Sequence, residues 1–257
     1  MVSFNANGIR SAQRKGFFEW VSKQDPDVVC IQETKAQVDQ LADEVFHPRG
    51  YHCVYSDAEK KGYSGTAVYS KVVPKNAIRT LGWDPLDSEG RYVQFDYQGV
   101  SIISLYVPSG SSSDDALAKK LRFMEVFYDH LAALRRKRRE FIICADWNTC
   151  HKQIDLRNWR SNQKNSGFLP EERAWLDRVY EKLGYIDSFR LVDPRPDRYT
   201  WWSNRGQAWN NNVGWRLDYQ LITPKLSGKV LAAEIYRDEK FSDHAPQLMY
   251  YDLELTA

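Results

Sequence analysis

The sequence is short of several things, and each shortage removes a class of protein. No apolar run among its 257 residues approaches the roughly 20 residues that cross a bilayer, and Met1 opens no leader of the charged-then-apolar kind. Neither a membrane partner nor secretion is expected. Charge of one sign is not in excess either, since 36 Lys and Arg face 34 Asp and Glu. A formal net charge of +2 does not mark a strongly basic binder, although a local patch matters more than the total. Cysteine is sparse. Cys30, Cys53, Cys144 and Cys150 show no metal-ligand spacing, and Cys30 and Cys144 sit inside apolar runs, where a free thiol packs as a small hydrophobe. A reducing cytoplasm without structural disulfides is the expectation. Low-complexity stretches, fixed-period repeats and linkers are missing too. With 42% hydrophobic and 27% charged residues, a single globular domain over 1–257 is expected.

What the sequence does have is a set of short apolar runs that end in polar residues. Phe141 to Ala145 reads as a buried strand and is followed by Asp146-Trp147-Asn148. In an open α/β sheet the carboxyl ends of strands are where ligands meet chemistry. Such a strand presents a carboxylate that accepts a water proton and an amide that holds the same water. From this segment alone, an Asx turn that merely stops a strand reads as well. Other runs end alike: Val2 to Phe4 in Asn5-Ala6-Asn7-Gly8, Val28 to Ile31 in Gln32-Glu33-Thr34, and Val100 to Val107 in Tyr106-Val107-Pro108. Further strands are expected near 51–55, 65–70, 91–97, 141–145, 186–191, 199–203, 215–223, 230–236 and 246–255, with Gln98-Gly99 as a hairpin turn. Helical spacing runs over 11–24, 36–46, 114–137 and 171–183, the last opened by Pro170. Strands outnumber helices and alternate with them. That pattern predicts an α/β (α+β) arrangement of two mixed sheets packed face to face with helices outside.

Polar residues at or near these strand ends form one candidate constellation. Glu33 and Asp243 offer the hard oxygens that suit magnesium or manganese. Asp218 would orient and charge-stabilise His244, leaving that imidazole to meet a phosphate oxygen or a proton. Asn148 would position water, and Tyr106 would donate to a phosphoryl oxygen. Together these residues are the equipment of metal-assisted phosphodiester hydrolysis, whereas singly each is an ordinary solvated strand end. Nine tryptophans are many, and Trp201, Trp202, Trp209 and Trp215 cluster beside Arg and Asn. Aromatic and basic residues together suit stacking on bases or sugars, and equally an ordinary core.

The runs Gln32-Glu33-Thr34-Lys35, Tyr106-Val107-Pro108, Asp146-Trp147-Asn148, Gly214 to Tyr219 and Ser242-Asp243-His244-Ala245-Pro246 resemble, in order, the motifs of the exonuclease III family of abasic-site endonucleases. The resemblance spans Val2 to about Leu255. It implies the four-layer α/β sandwich of the endonuclease/exonuclease/phosphatase superfamily. It also implies a magnesium ion, or manganese, on Glu33 with Asn7 and Asp243 nearby. Asp146 with Asn148 would align and activate the attacking water. His244, supported by Asp218, would contact the scissile phosphate, as would Asn5 and Tyr106. Which group is the general base stays open for the family. The loop 155–168 is similar to the family's DNA-contacting segment, so Asn162 and Asn165 would bond phosphates. Trp201, Trp215 and Leu217 would line the pocket for an extruded abasic sugar. A sugar without a base has little stacking to lose, so its extrusion is cheap. Asn7 stands where some relatives carry aspartate, which bears on a second metal. Ser166 is small where a bulky side chain would block an abasic site.

The implied activity is hydrolysis 5′ to an abasic site in double-stranded DNA, with clearing of blocked 3′ ends, by a monomer. Two relatives of that reading stand beside it: a 3′-phosphatase and 3′→5′ exonuclease with little endonuclease activity, and a phosphatase for small phosphoesters. A non-catalytic DNA-binding module is a third. The basic run Arg135 to Arg139 suits either a helix C-terminus or phosphate contact. The loop Lys60 to Ser64 resembles a DNA-approaching segment of the family and is equally a plain hairpin connection. His47, His52, His130 and His151 suggest no role.

Overall fold

The computed structural model describes residues 1–257. Strand β1 (Val2–Asn5) leads through helices α1 (Ile9–Arg14) and α2 (Phe17–Gln24) to β2 (Val28–Gln32), β3 (His52–Ser56) and β4 (Thr66–Ser70). Then come β5 (Asn76–Ile78), α3 (Asp84–Asp87), β6 (Tyr92–Asp96), β7 (Val100–Tyr106), the long α4 (Asp114–Arg135) and β8 (Glu140–Asp146). The last third holds α5 (Trp159–Asn162), α6 (Pro170–Glu181), β9 (Ile186–Asp187), α7 (Ser188–Val192), β10 (Trp201–Trp202), β11 (Gly214–Trp215), β12 (Asp218–Ile222), β13 (Val230–Ile235) and β14 (Gln247–Tyr251). One six-stranded mixed sheet has the order β13-β14-β1-β2-β4-β3, the other β5-β6-β7-β8-β12-β9, and β10 and β11 form a small ribbon. No helix is long and apolar enough to cross a membrane.

The alternation of side chains along each strand explains the layers. Val28 and Cys30 of β2 face Ile142 and Cys144 of β8 across an apolar seam between the sheets. Their neighbours point outward: Val29 and Ile31 pack under α1 and α2, and Phe141, Ile143 and Ala145 pack under α4 and α6. Each central strand is buried on both faces, so its sequence reads as a continuous apolar run. The seam turns polar at one end. Gln32 Nε2 donates to Ser104 Oγ (3.1 Å) and to the Cys144 carbonyl (3.3 Å), tying the sheets together just below the strand ends.

Four expected elements differ. The 11–24 helix is two, broken at Gly16, whose φ of 87° is left-handed. The expected helix at 36–46 is two single 3₁₀ turns, Val38–Leu41 and Glu44–Phe46; Asp43 in mid-run accepts from the Val45 amide and so competes with a continuous helix. Strand 186–191 stops after Asp187, whose carboxylate caps α7 by accepting from the Phe189 and Arg190 amides. The run 215–223 breaks at Arg216, which turns into the interior to pair with Asp155 (2.9 Å) and Asp187 (2.7 Å).

Candidate active site

Strand register brings the first group of residues together. Tyr106 of β7 pairs with Asp146 of β8, and Asp146 with Asp218 of β12, so the three stand in one row across adjacent strands. In the facing sheet β1 ends at Asn5, beside Gln32. Asn5 Nδ2 crosses the seam to donate to Asp146 Oδ2 at 2.8 Å. The backbone N–H of Asn148 donates to Asp146 Oδ1 (2.8 Å) and its Nδ2 to Oδ2 (3.2 Å). Asp218 Oδ2 lies 2.8 Å from His244 Nδ1, and His244 Nε2 lies 3.9 Å from Asp146 Oδ2. The loop bearing His244 is clamped to the ribbon: the Trp202 amide donates to the Asp243 carbonyl and the Ala245 amide to the Thr200 carbonyl.

Burial sets the charges here. It raises the Asp146 carboxyl, with help from the Asp218 charge, to about 7, against the pull of His244 and the Asn148 amide. Burial works to lower His244, but Asp218 and then Asp146 and Asp243 outweigh it and raise the imidazole to about 10. Burial and the charges of Glu33 and Asp146 push the Tyr106 phenol well up, so it stays a protonated donor. The ligand-type atoms of Asp146, Asp218 and His244 lie within 4.8 Å of one another. That spacing alone would admit an ion, but the imidazole Nδ1 already faces Asp218 and the group is better suited to holding and moving a proton.

A second group lines the same cleft. Glu33 and Lys35 follow β2, and Asn7 follows β1. The Lys35 ammonium stands 2.9 Å from Glu33 Oε1 and 2.5 Å from Asn7 Oδ1. Asn7 Nδ2 donates to Asp243 Oδ1 (2.9 Å), and Trp201 Nε1 to Asp243 Oδ2 (3.0 Å). Burial works to raise the Asp243 carboxyl, yet His244 and these donors hold it below the usual range. Oxygens of Glu33 and Asn7 that already face one shared cation, with a carboxylate beside them, are the donor set that magnesium or manganese takes, so the residues fit such an ion. Backbone strain marks the same spot. Eight non-glycine residues have positive φ, and four of them, Asn7 (41°), Glu33 (56°), Lys35 (48°) and Asn148 (49°), line this cleft. Such conformations cost free energy and cluster where function fixes them.

Both groups open into one cleft of 840 Å³, which Trp201, Trp215, Leu217, Asn165 and Ser166 also line. The Trp201 and Trp215 rings meet edge to face at 6.3 Å. Asn5 and Asp218 lie beneath the cleft floor, 0% and 1% exposed. Asn5 therefore differs from its expected phosphate contact: its Nδ2 is given to Asp146 and its Oδ1 accepts from the Asn7 amide. Asn162 stands a turn back from the rim, where its Oδ1 accepts from Asn165 Nδ2 (2.8 Å).

Sequence reasoning missed several neighbours. Ser109 to Ser113, Lys164 and Arg205 line the cleft; the first follow directly on Tyr106-Val107-Pro108, a position that signals them. Arg91 carried no signal. It is 1% exposed, its guanidinium lies 4.8 Å from the Tyr106 ring, and it donates to the Tyr106 carbonyl (3.0 Å) and to Tyr63 Oη (2.9 Å). The Lys60 to Ser64 loop is thereby linked to Tyr106. The basic run has no such link. Arg139 donates to the Tyr97 and Val100 carbonyls and Arg135 to that of Leu183. It sits at the start of β8, about 20 Å of strand away from Asp146, which favours the capping role. His47 lies 2.8 Å from the Leu41 carbonyl and His151 2.7 Å from Asp177. His52 and His130 pack on Phe95 and Phe127.

A face-to-face sandwich with these groups at the open end of its seam defines a class, the metal-assisted phosphoester hydrolases. Comparison with known proteins narrows it. The model of the Endonuclease/Exonuclease/phosphatase family matches residues 2–244. An exodeoxyribonuclease of Bacillus subtilis is 36% identical over 248 residues, 96% of each chain. A DNA-(apurinic or apyrimidinic site) endonuclease of Dictyostelium discoideum is 34% identical over 256 residues, 98% of this chain and 70% of that one. The structure of an AP endonuclease from Archaeoglobus fulgidus superposes with a TM-score of 0.89 at 28% identity, covering 98% of both chains. The chain belongs to the endonuclease/exonuclease/phosphatase family.

Proposed function

We propose that this chain is a divalent-metal-dependent DNA repair nuclease that hydrolyses the phosphodiester 5′ to an abasic site and clears blocked 3′ ends. One observation carries the reading: the hydrolytic groups and an aromatic-walled pocket share a single cleft, with Asn165 and Ser166 at its edge. A small phosphoester needs the first set only. The kinship with an exodeoxyribonuclease and an abasic-site endonuclease points the same way.

The geometry supports the following roles. Asp146, poised near 7, accepts the proton of the attacking water, and Asn148 holds that water beside it. His244 is already protonated at neutral pH, so it is the poorer base; it donates to the phosphate and offsets its charge. Asp218 keeps that imidazole charged and aimed, Asn5 orients Asp146, and Tyr106 donates to a phosphoryl oxygen. Glu33, Asn7 and Asp243 would hold magnesium, or manganese, which when bound polarises the phosphoryl group and neutralises developing charge. Asn162 and Asn165 would bond the phosphates flanking the target. Trp201, Trp215 and Leu217 would enclose the extruded sugar, which has little stacking to lose on leaving the duplex. The site is complete within one chain, which suits action as a monomer. Four free thiols suit a reducing cytoplasm.

The test is a duplex with one abasic analogue, incubated with magnesium and then with chelator, beside a duplex ending in a 3′-phosphate. Internal incision that chelator abolishes is expected; trimming of the 3′-phosphate alone would select the exonuclease-phosphatase alternative. Ser166 is boxed in behind by Glu172, 3.2 Å from its hydroxyl, and by Gly110, where a Cβ would stand 2.6 Å from it. A larger side chain at 166 must therefore project into the cleft. Ser166→His should lose internal incision while keeping 3′-phosphate removal, and parental incision by that variant would rule out the gate.

A further inference from the structure

A buried ion pair joins two walls of the cleft. Lys120 on α4 and Glu172 in the first turn of α6 both have 0% side-chain exposure. Such a pair is weak evidence for stability, because removing both ions from water offsets their attraction. Its partners are more informative. Lys120 Nζ donates to Glu172 Oε1 (2.5 Å) and to the Asn148 carbonyl (2.6 Å). Glu172 Oε2 accepts from the amides of Gly167 (2.7 Å) and Leu169 (2.9 Å), and its Oε1 from the Ser166 hydroxyl (3.2 Å). One ion thus holds Asn148 in its left-handed conformation, and the other holds the corner that carries Ser166. Gly167 closes the arrangement. Its φ is 97°, and a Cβ there would come within 3.1 Å of the Trp215 ring and 3.2 Å of the Asn148 carbonyl oxygen. The corner is packed on the pocket's aromatic wall and on the very carbonyl that Lys120 holds.

We propose that Lys120 and Glu172 are positioning residues, which set where the Asn148 carboxamide stands over Asp146 and how far the Ser166–Gly167 corner stands from Trp215. The pair thereby governs both the rate of hydrolysis and the width of the pocket offered to the sugar. The inference rests on the nuclease reading above. Apolar side chains of like volume would fill the same space, so packing alone does not call for the charges. The hydrogen bonds to Asn148, Gly167 and Leu169 do.

The double variant Lys120→Met/Glu172→Leu removes those bonds while leaving no lone buried charge. It is compared with the parent for its melting temperature, for kcat and KM on a magnesium-containing reaction with an abasic-analogue duplex, and for the ratio of that rate to removal of an ordinary 3′-terminal nucleotide. The expected result is a melting temperature lowered, because the Asn148 carbonyl and the Gly167 and Leu169 amides lose their partners, with the fold retained, kcat lower by roughly ten- to a hundredfold, a much smaller change in KM, and a ratio shifted toward the ordinary nucleotide. A folded double variant with parental kcat and ratio overturns the proposal. If the double variant does not fold, Glu172→Gln decides: its single carbonyl oxygen cannot accept from both the Gly167 and Leu169 amides and the Lys120 ammonium, so a donor must face a donor on one side. Faster hydrogen exchange at those two amides and the same shift in ratio are expected, and unchanged exchange with an unchanged ratio overturns the proposal. The exchange measurement is independent of catalysis. A parent that leaves the abasic duplex uncut would refute the nuclease reading, while the two amides would still report on the pair.

Discussion

At the scale of single residues the site is a problem in placing protons. Asp146 sits near 7 and His244 near 10, so between these values the carboxylate can accept a proton while the imidazole keeps its own. The expected profile of kcat/KM against pH is a bell. Activity falls as pH drops through the Asp146 value, because a protonated carboxyl cannot accept, and falls again above about 10 as His244 loses its charge. A bound divalent cation moves the acid limb to lower pH. Asp146→Asn keeps the size and removes the acceptor. Single-turnover incision should drop by roughly 10²–10⁴-fold while binding of the duplex, followed by anisotropy, persists. A fully active variant would show that Asp146 is not the base. Asn5, Glu33, Tyr106 and Asp146 were legible in the chain because each stands at the end of an apolar run, whereas Asp218 opens β12 and His244 precedes β14, and both were legible through the order of the motifs. Asn5 was legible as a site residue but not as a buried orienter of Asp146, since a polar residue after a strand carries no sign of whether it faces solvent or the facing sheet. Arg91, Lys120 and Glu172 were illegible for a related reason: a charged residue in an amphipathic or mixed segment looks exposed until its buried partner is known.

At the scale of elements, strands were read better than the segments that join them. Period and apolar runs report burial, and the central strands here are buried on both faces. The two 3₁₀ turns at 38–46 and helix α7 depended on whether an Asp side chain bonds its own backbone, a choice that the hydrophobic pattern does not record. One connection bears directly on the cation side of the site. The turn after β2 is held by the Thr34 amide donating to the Gly65 carbonyl and the Lys35 amide to that of Ser64. Gly65 has a φ of 88°, and a Cβ there would fall 2.2 Å from Thr34 Oγ1. Gly65→Ala should destabilise the fold by more than about 1 kcal/mol. Because it pushes on the residue after Glu33, it should also raise the magnesium concentration needed for half-maximal incision. Parental values for both, by thermal melting and a metal titration, would show that the turn yields without moving Glu33.

At the scale of the whole molecule, charge networks outside the cleft decide how acid is tolerated. Asp155 is buried between Arg216 (2.9 Å) and Arg190 (2.7 Å). Burial works against its charge, yet the two guanidinium groups hold the carboxyl down at about 2. A group depressed in the folded state stabilises it above its unfolded value, and that contribution, on the order of 2 kcal/mol, is lost as pH falls from about 4 to about 2. The parent's melting temperature should drop across that window. Asp155→Asn should start lower, having left Arg190 without a carboxylate and Arg216 with Asp187 alone, and should show a shallower drop. Equal slopes would mean that other carboxylates dominate acid unfolding.

The pairing of the first strand with the last has a consequence for how the molecule comes into being. The Met1 amino group donates to the Met249 carbonyl, and β1 lies against β14, so the first sheet can close only after β14 has been made. The middle of the chain, β5 to β12, holds every strand of the other sheet and can assemble earlier. A nascent chain still tethered to the ribosome before Asp243 and His244 emerge would thus display Asp146 without the partners that arm it. DNA cleavage would switch on only once β14 and the residues just before it have joined the first sheet.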